Sequence, residues 1–276
     1  MERRSFIAAS IVAPAAGVSS AAPPRTKKML EIWADAVNGS DSNSGTSVGA
    51  PVKTLTKAES LLTDVQNILW LVPSGVYTDA LNVNHHQSVH VKTYGKGKAV
   101  IKAGDGALFG VGCRNSAVLT LTNIWVKPGA TGQHLCNVGQ NVCFDLVNCD
   151  LGESGVAAGA LIYAEDYAKV IFSGKDNNVR GSGQSFVSLN NACLNINAWV
   201  NMPTAGLAFS NGFYNGTINS IFRLQETIHA GRGGNVNTNA RPYILSHGSK
   251  MLLPSAYSIP GTGVQSPIVD GHSYAV

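Results

Sequence analysis

The chain has 276 residues, a formal net charge of +4, and 13% charged against 44% hydrophobic residues. Such a composition excludes a disordered tail, and with no basic stripe interleaved with aromatics it argues against a nucleic-acid partner. No apolar run reaches the ~18 residues that suggest a membrane span.

Residues 1–24 place Arg3 and Arg4 ahead of an apolar stretch from Phe6 to Val18, followed by small residues near 19–22. Part of the positive charge lies at this end, in Arg3, Arg4, Arg25, Lys27 and Lys28. Arg3-Arg4-Ser5-Phe6 is similar to a twin-arginine secretion signal, which would make the mature protein secreted or periplasmic. The alternative is an arm. A segment rich in Ala, Val and Pro cannot fold alone and would order by docking on something larger. We read residues 1–30 as such an arm, an anchor within an assembly.

Residues 31–65 read as a cap. A strand over Ile32–Val37 leads into a polar Asn/Gly/Ser/Asp loop, then Pro51. A helix of about ten residues is expected from Lys53 to Leu62, with Thr54, Leu55, Ala58, Leu61 and Leu62 on one stripe. Such a helix covers the open end of a first coil, whose edge and apolar interior would otherwise be exposed. Ile68–Val72 and Ala80–Val83 form that first coil, around a turn at Gly75. His85, His86 and Gln87 sit at a likewise turn-like place, with His90 just beyond; they read as surface polar residues, with metal binding the alternative.

The pieces Asp35-Ala36-Val37-Asn38-Gly39, Asp41-Ser42-Asn43-Ser44-Gly45-Thr46, Pro51-Val52-Lys53-Thr54-Leu55, Lys57-Ala58 and Pro73-Ser74-Gly75-Val76-Tyr77 carry a resemblance. They resemble the opening of the pectin-lyase-like right-handed parallel β-helix proteins, which include phage tailspikes, virion fibres and secreted bacterial proteins. The resemblance is specific for fold and weak for function.

Residues 66–235 read as the β-helix. A spacing of 25 residues aligns Leu121, Leu146, Ile171 and Ile196, and likewise Ala117, Val142, Tyr167 and Ala192. Val118, Cys143, Ala168 and Cys193 form a further column. Parallel columns at one period mark a solenoid, in which each coil lies on the one before. Its strands are Val118–Val126, Cys143–Leu151 and Cys193–Val200, with period-2 alternation. Shorter strands precede them at Leu135–Val138, Leu161–Tyr163 and Phe186–Leu189. Between the two kinds lie corners rich in Asn and Gly, which tolerate a left-handed backbone. The corner column Asn141, Asp166, Asn191 reads as a structural ladder of stacked side chains, and Asp166 beside Glu165 leaves a polar ligand groove as the alternative. The expected architecture is all-β, a right-handed parallel β-helix of ~25-residue coils with an N-terminal capping helix and a non-repeating C-terminal tail.

The five cysteines, at 113, 136, 143, 149 and 193, match no zinc spacing. They read as buried small apolar residues. Cys113 and Cys136 lie about one coil apart, which leaves a cross-coil disulfide open.

The period ends before Asn235, and residues 236–276 read as a non-repeating tail. Leu253-Pro254, Ile259-Pro260-Gly261-Thr262-Gly263 and Asp270-Gly271-His272-Ser273-Tyr274 look like the ends of β-helix proteins encoded by phages. That resemblance implies a trimerisation segment and a homotrimer.

Catalysis by this fold needs paired carboxylates or a calcium-binding aspartate cluster. The chain has 16 acidic residues. The candidates are Asp150 and Asp176, 26 residues apart and so neighbours on adjacent coils, together with Asp166. Glu153 lies near Asp150, and Arg180 follows Asp176. None matches a lyase or hydrolase signature, and solvated outer-face charges are the plainer reading. Trp125 and Trp199 take similar places on different coils and would stack on sugar rings if exposed; burial is the alternative. Nothing calls for a cofactor or a metal.

The sequence therefore favours a non-enzymatic structural component of a phage particle, located in the virion. Its arm, residues 1–30, would contact other virion proteins, and its surface a host polysaccharide. The alternatives are a secreted or virion-borne polysaccharide lyase or glycosidase, and a carbohydrate-binding adhesin.

Overall fold

A computed structural model describes residues 29–198, 200–201, 207–211, 213–224, 243–252, 268–270 and 273–275. Their strands form three sheets. Sheet A joins Leu30–Asp35, Gln66–Val72, Ser88–Thr93, Val118–Thr122, Cys143–Val147, Lys169–Ser173, Cys193–Ile196, Ile221–Leu224, Lys250–Leu252 and Tyr274–Ala275. Sheet B joins Val76–Tyr77, Ala99–Ile101, Ile124–Val126, Asp150–Leu151, Asn177–Val179 and Val200–Asn201. Sheet C joins Leu81–Val83, Phe109–Cys113, His134–Val138, Ala158–Glu165, Gly183–Asn190, Tyr214–Thr217, Tyr243–Leu245 and Ile268–Val269. From Gln66 to Leu224 the chain visits A, B and C in turn, and the strands pair in parallel with those of the next coil. That cycle is a parallel β-helix.

The alternation of each strand sends one set of side chains inward. Val89, Leu119, Phe144, Val170, Leu194, Phe222 and Met251 stack in register on sheet A, all buried. Tyr77, Ile101, Val126, Leu151 and Val179 do the same on sheet B. Sheet C contributes Leu81, Val111, Cys136, Ile162, Val187 and Tyr214. One continuous apolar column results.

On sheet A between Val118 and Cys193 the period of 25 holds in the mean, with one coil a residue longer and the next a residue shorter. Val118 pairs with Cys143, Cys143 with Lys169, and Lys169 with Cys193, steps of 25, 26 and 24. The inward column therefore runs Leu121, Leu146, Phe172, Ile196, and Ile171 faces out beside Asp145 and Asn195. Ala168 takes the place expected of Tyr167, which is 71% exposed, and Lys169 the place expected of Ala168. The cause is local. One residue is added between Leu151 and Ala164, where Glu153 and Val156 bridge back on themselves. It is removed again at the next corner, where Asn191 is the one non-glycine residue of left-handed φ, while the earlier corners carry two, Gln140 with Asn141 and Asp166 with Tyr167.

The slip also dissolves the ladder expected of Asn141, Asp166 and Asn191. Asp166 sits one position before it, and Tyr167 falls between Asn141 and Asn191. The three side chains make no hydrogen bond with one another; the link is the Asn141 N–H to the Asp166 carbonyl, 2.9 Å. An Asn-built corner exists elsewhere, between sheets A and B. Asn123 and Asn148 are left-handed there, splitting each long strand expected at 118–126 and 143–151 in two.

The helix is shorter than expected, Leu55–Ser60 rather than about ten residues. Thr54 caps it by accepting the Lys57 N–H at 3.0 Å. Leu55 and Ala58 are buried. The strand ahead of the helix, Leu30–Asp35, is itself the first strand of sheet A. At the other end the described strands overturn a non-repeating tail. Tyr243–Leu245 and Ile268–Val269 extend sheet C, and Lys250–Leu252 and Tyr274–Ala275 extend sheet A. Leu245 and Met251 are fully buried, so the apolar column needs these coils as it needs the earlier ones. Residues 1–28, most of the arm, lie outside the described residues.

Candidate functional site on sheet B

Sheet B gathers the chemistry-bearing residues. Trp125, Asp150 and Asn178 pair in register on successive coils. Asp150 is 3% exposed in its side chain and occupied on both oxygens. Oδ1 accepts from Lys98 Nζ and from Asn178 Nδ2, the latter at 2.7 Å. Oδ2 accepts from Arg180 Nε at 2.5 Å. Two cations and an amide offset the desolvation of one buried carboxylate.

A second centre lies beside it. Glu153 accepts from Lys127 at 2.9 Å and from Lys102 at 3.1 Å. Those two lysines hold its carboxyl below the usual range, Lys127 contributing most. Trp125 joins the two centres. Lys127 Nζ lies 3.8 Å from its ring centroid and the Arg180 guanidinium carbon 5.4 Å. Its indole N–H donates to the Gly152 carbonyl at 2.8 Å.

The residues following the sheet B strands form a column: Lys102, Lys127, Gly152 and Arg180, each N–H bonded to the coil before. At Gly152, φ is +90° and a Cβ would lie 2.7 Å from the Gly181 nitrogen. The close approach of the two backbones is what demands glycine there.

The structure thus brings Asp150, Asp176 and Trp125 together. Asn178 bridges the two aspartates, donating to Asp150 and, at 3.3 Å, to Asp176 Oδ1. Asn201 also reaches Asp176, at 3.3 Å. Asp166 is elsewhere, in the corner between sheets C and A. Its neighbour Glu165 faces Arg114 at 3.4 Å. Trp125 is not an open sugar platform, because Lys127 and Arg180 both lie over its ring. Trp199 falls outside the described residues. His85 and His86 occupy a left-handed corner, and His90 bonds Thr122 at 2.8 Å. Burial, then Lys92, lowers its pKa. All five cysteines are free thiols. Cys113 pairs with Val138 and Cys136 with Val111, so the two are offset by two positions along sheet C.

Three groups escaped the sequence reading. Lys98 reaches Asp150 from two coils away, and no local pattern marks it. Asp145 faces out from sheet A between Thr120 and Ile171. Its Oδ1 is buried without a hydrogen-bond partner, and burial raises its pKa against a weaker opposing bond from Ser173. An outward acid in the strand Cys143–Val147 was the available signal. Trp33 and Trp70, in register on sheet A, stack at 5.5 Å, with Tyr94 edge-on and Lys92 over Trp70.

No protein-family model matches the sequence. No curated protein matches it. Among solved structures, the chain is similar to the lacto-N-biosidase of glycoside hydrolase family 136 from Eubacterium ramulus, at 13% identity and a TM-score of 0.35, over 80% of this chain and 51% of that one. The chain thus spans about half the length of that enzyme. It is similar also to the deglycosylated pectin methylesterase from Aspergillus niger, at 12% identity and a TM-score of 0.37, over 92% of this chain and 85% of that one. At these identities, and at TM-scores below 0.5, neither likeness assigns a role to a residue of the sheet B site.

Proposed function

We propose that the chain is a non-enzymatic structural protein, a β-helical component of a phage particle that presents its lateral faces to a host surface polysaccharide. One observation carries the non-enzymatic part. On sheet B the acids Asp150 and Glu153 are each ion-paired with two cations, so both carboxylates are engaged within the protein rather than held toward a substrate. The place in a particle rests on the resemblance of residues 35–77 to the openings of tailspike and fibre proteins. On this reading residues 1–30 contact other virion proteins and the chain assembles as a homotrimer. Native mass spectrometry of the full chain tests the assembly: three copies are expected, and a monomer that has lost its first residues overturns it. Incubation with bacterial surface polysaccharides tests the absence of catalysis, with no oligosaccharide expected.

Asp145 favours a second reading, a polysaccharide lyase or glycosidase. A carboxyl raised by burial on an outer sheet face is suited to donate a proton. Release of oligosaccharides by the wild type and not by Asp145→Asn would establish it and displace the first reading.

A further inference from the structure

We propose that Arg180, with Lys102 and Lys127, forms a binding subsite for the anionic group of an acidic sugar in a surface polysaccharide. The inference rests on the reading of the chain as a protein that contacts a polysaccharide without cleaving it.

The argument begins with how Arg180 is held. Its Nε is fixed on Asp150, a carboxylate 3% exposed and pinned from other sides by Lys98 and Asn178. Its guanidinium carbon also lies 5.4 Å from the Trp125 ring centroid, within cation–π range. Among the described residues the two Nη groups make no hydrogen bond, and the side chain is 48% exposed. A guanidinium anchored through Nε presents its Nη donors in a fixed direction. That geometry suits the paired oxygens of a carboxylate, sulfate or phosphate, and little rotamer entropy remains to be lost on binding.

Charge points the same way. Residues 29–276 carry equal numbers of Lys/Arg and Asp/Glu side chains. The sheet B patch departs slightly from that balance: the four cations Lys98, Lys102, Lys127 and Arg180 stand against the three acids Asp150, Glu153 and Asp176, the last of them exposed. The cations that reach the surface are Arg180, 48% exposed, and Lys102, 38% exposed, while Asp150 is buried and Glu153 is 26% exposed. The column Lys102, Lys127, Arg180 runs along the helix axis and skips one coil at Gly152. A polymer laid along the axis would therefore meet cations at intervals of one and two strand spacings, roughly 5 and 10 Å. A chain of sugars with spaced acidic groups fits that array, and a neutral glycan gains nothing from it.

The test is calorimetric titration of the full-length protein with hyaluronate and dextran sulfate, with unmodified dextran and duplex DNA as controls, at low and high salt. Binding of one or both acidic polysaccharides, weakened about tenfold or more in Arg180→Gln and less in Arg180→Lys, is expected. Dextran should not bind, and DNA should bind more weakly than the polysaccharide. Absence of binding overturns the proposal, as does equal affinity for dextran or DNA, or unchanged affinity in a folded Arg180→Gln protein. Should Arg180→Gln lower the melting temperature below the assay range, Lys102→Gln decides instead: lost affinity supports the subsite and unchanged affinity overturns it. Polymer length is measured by size exclusion after each titration. Shortened polymer overturns the non-catalytic reading, while Arg180-dependent binding still upholds the subsite.

Discussion

Asn148 and Gly174 occupy successive coils at the corner between sheets A and B, and the side chain of one fills the space the other leaves. Asn148 Oδ1 accepts the Lys175 and Asp176 N–H groups at 2.8 and 3.1 Å. Gly174 has φ +84°, and a Cβ there would collide with that same amide oxygen. Asn148→Ala is expected to cost about 1 kcal/mol, because it removes the acceptor shared by two solvent-exposed backbone donors. Gly174→Ala should cost at least as much, adding backbone strain to the collision. Urea denaturation of both variants measures the difference.

The one-residue slip makes a second prediction. Phe172 is 1% exposed and packs 5.6 Å from Phe186, whereas Ile171 faces outward. Phe172→Ala should cost about 3–5 kcal/mol, and Ile171→Ala less than about 1 kcal/mol. A strict 25-residue period demands the opposite order, so chemical melts of this pair separate the two registers.

Asp150 is the structural keystone of sheet B, and its loss should be felt as stability. Asp150→Ala leaves Lys98 and Arg180, 20% and 48% exposed, without their counter-charge and Asn178 without its acceptor, at about 1–3 kcal/mol. Lys175→Ala, a nearby exposed residue, should stay within about 0.5 kcal/mol. A melting temperature for Asp150→Ala equal to that of the wild type would falsify the network.

A pH dependence follows from Glu59. It accepts the backbone N–H of Asn82, on the edge strand of sheet C, from the helix Leu55–Ser60. Burial pushes its carboxyl up to about 7, with Asp79 adding repulsion and the Asn82 N–H opposing. The folded state therefore holds its proton more tightly than the unfolded chain. The stability so gained is full below the ordinary value of 4.5 and is lost as pH rises through about 7. Melting temperature should fall between pH 5 and pH 8, by a few degrees. In Glu59→Gln, which keeps the acceptor and removes the charge, that fall should largely vanish.

What the sequence revealed and what it hid divide along chain separation. Strand alternation was legible because the inward set is apolar and the outward set polar within five or six residues. The nearness of Asp150 and Asp176 was legible because a coil is close to 25 residues. The slip at Ile171 was not, since it depends on a residue gained near Glu153 and lost near Asn191, and a corner's length leaves no apolar signature. Lys98 was hidden for a different reason: its partner lies two coils on, and any lysine facing outward looks the same in sequence. The last strands, Ile268–Val269 and Tyr274–Ala275, are too short to show alternation at all; only their pairing with earlier coils defines them.

Sheet A begins with Leu30–Asp35 and closes with Tyr274–Ala275, the tenth of its described strands. Nine strand spacings place those segments roughly 43 Å apart. The inter-coil hydrogen bonds run along that same line. Tension applied between the two poles would load these bonds in series, so the terminal coil would peel away first, then the next, each at modest force. A sideways push would meet all three sheets together. The rod is therefore weak against being drawn out and stiff against being bent, and its mechanical direction is written into the order of its coils.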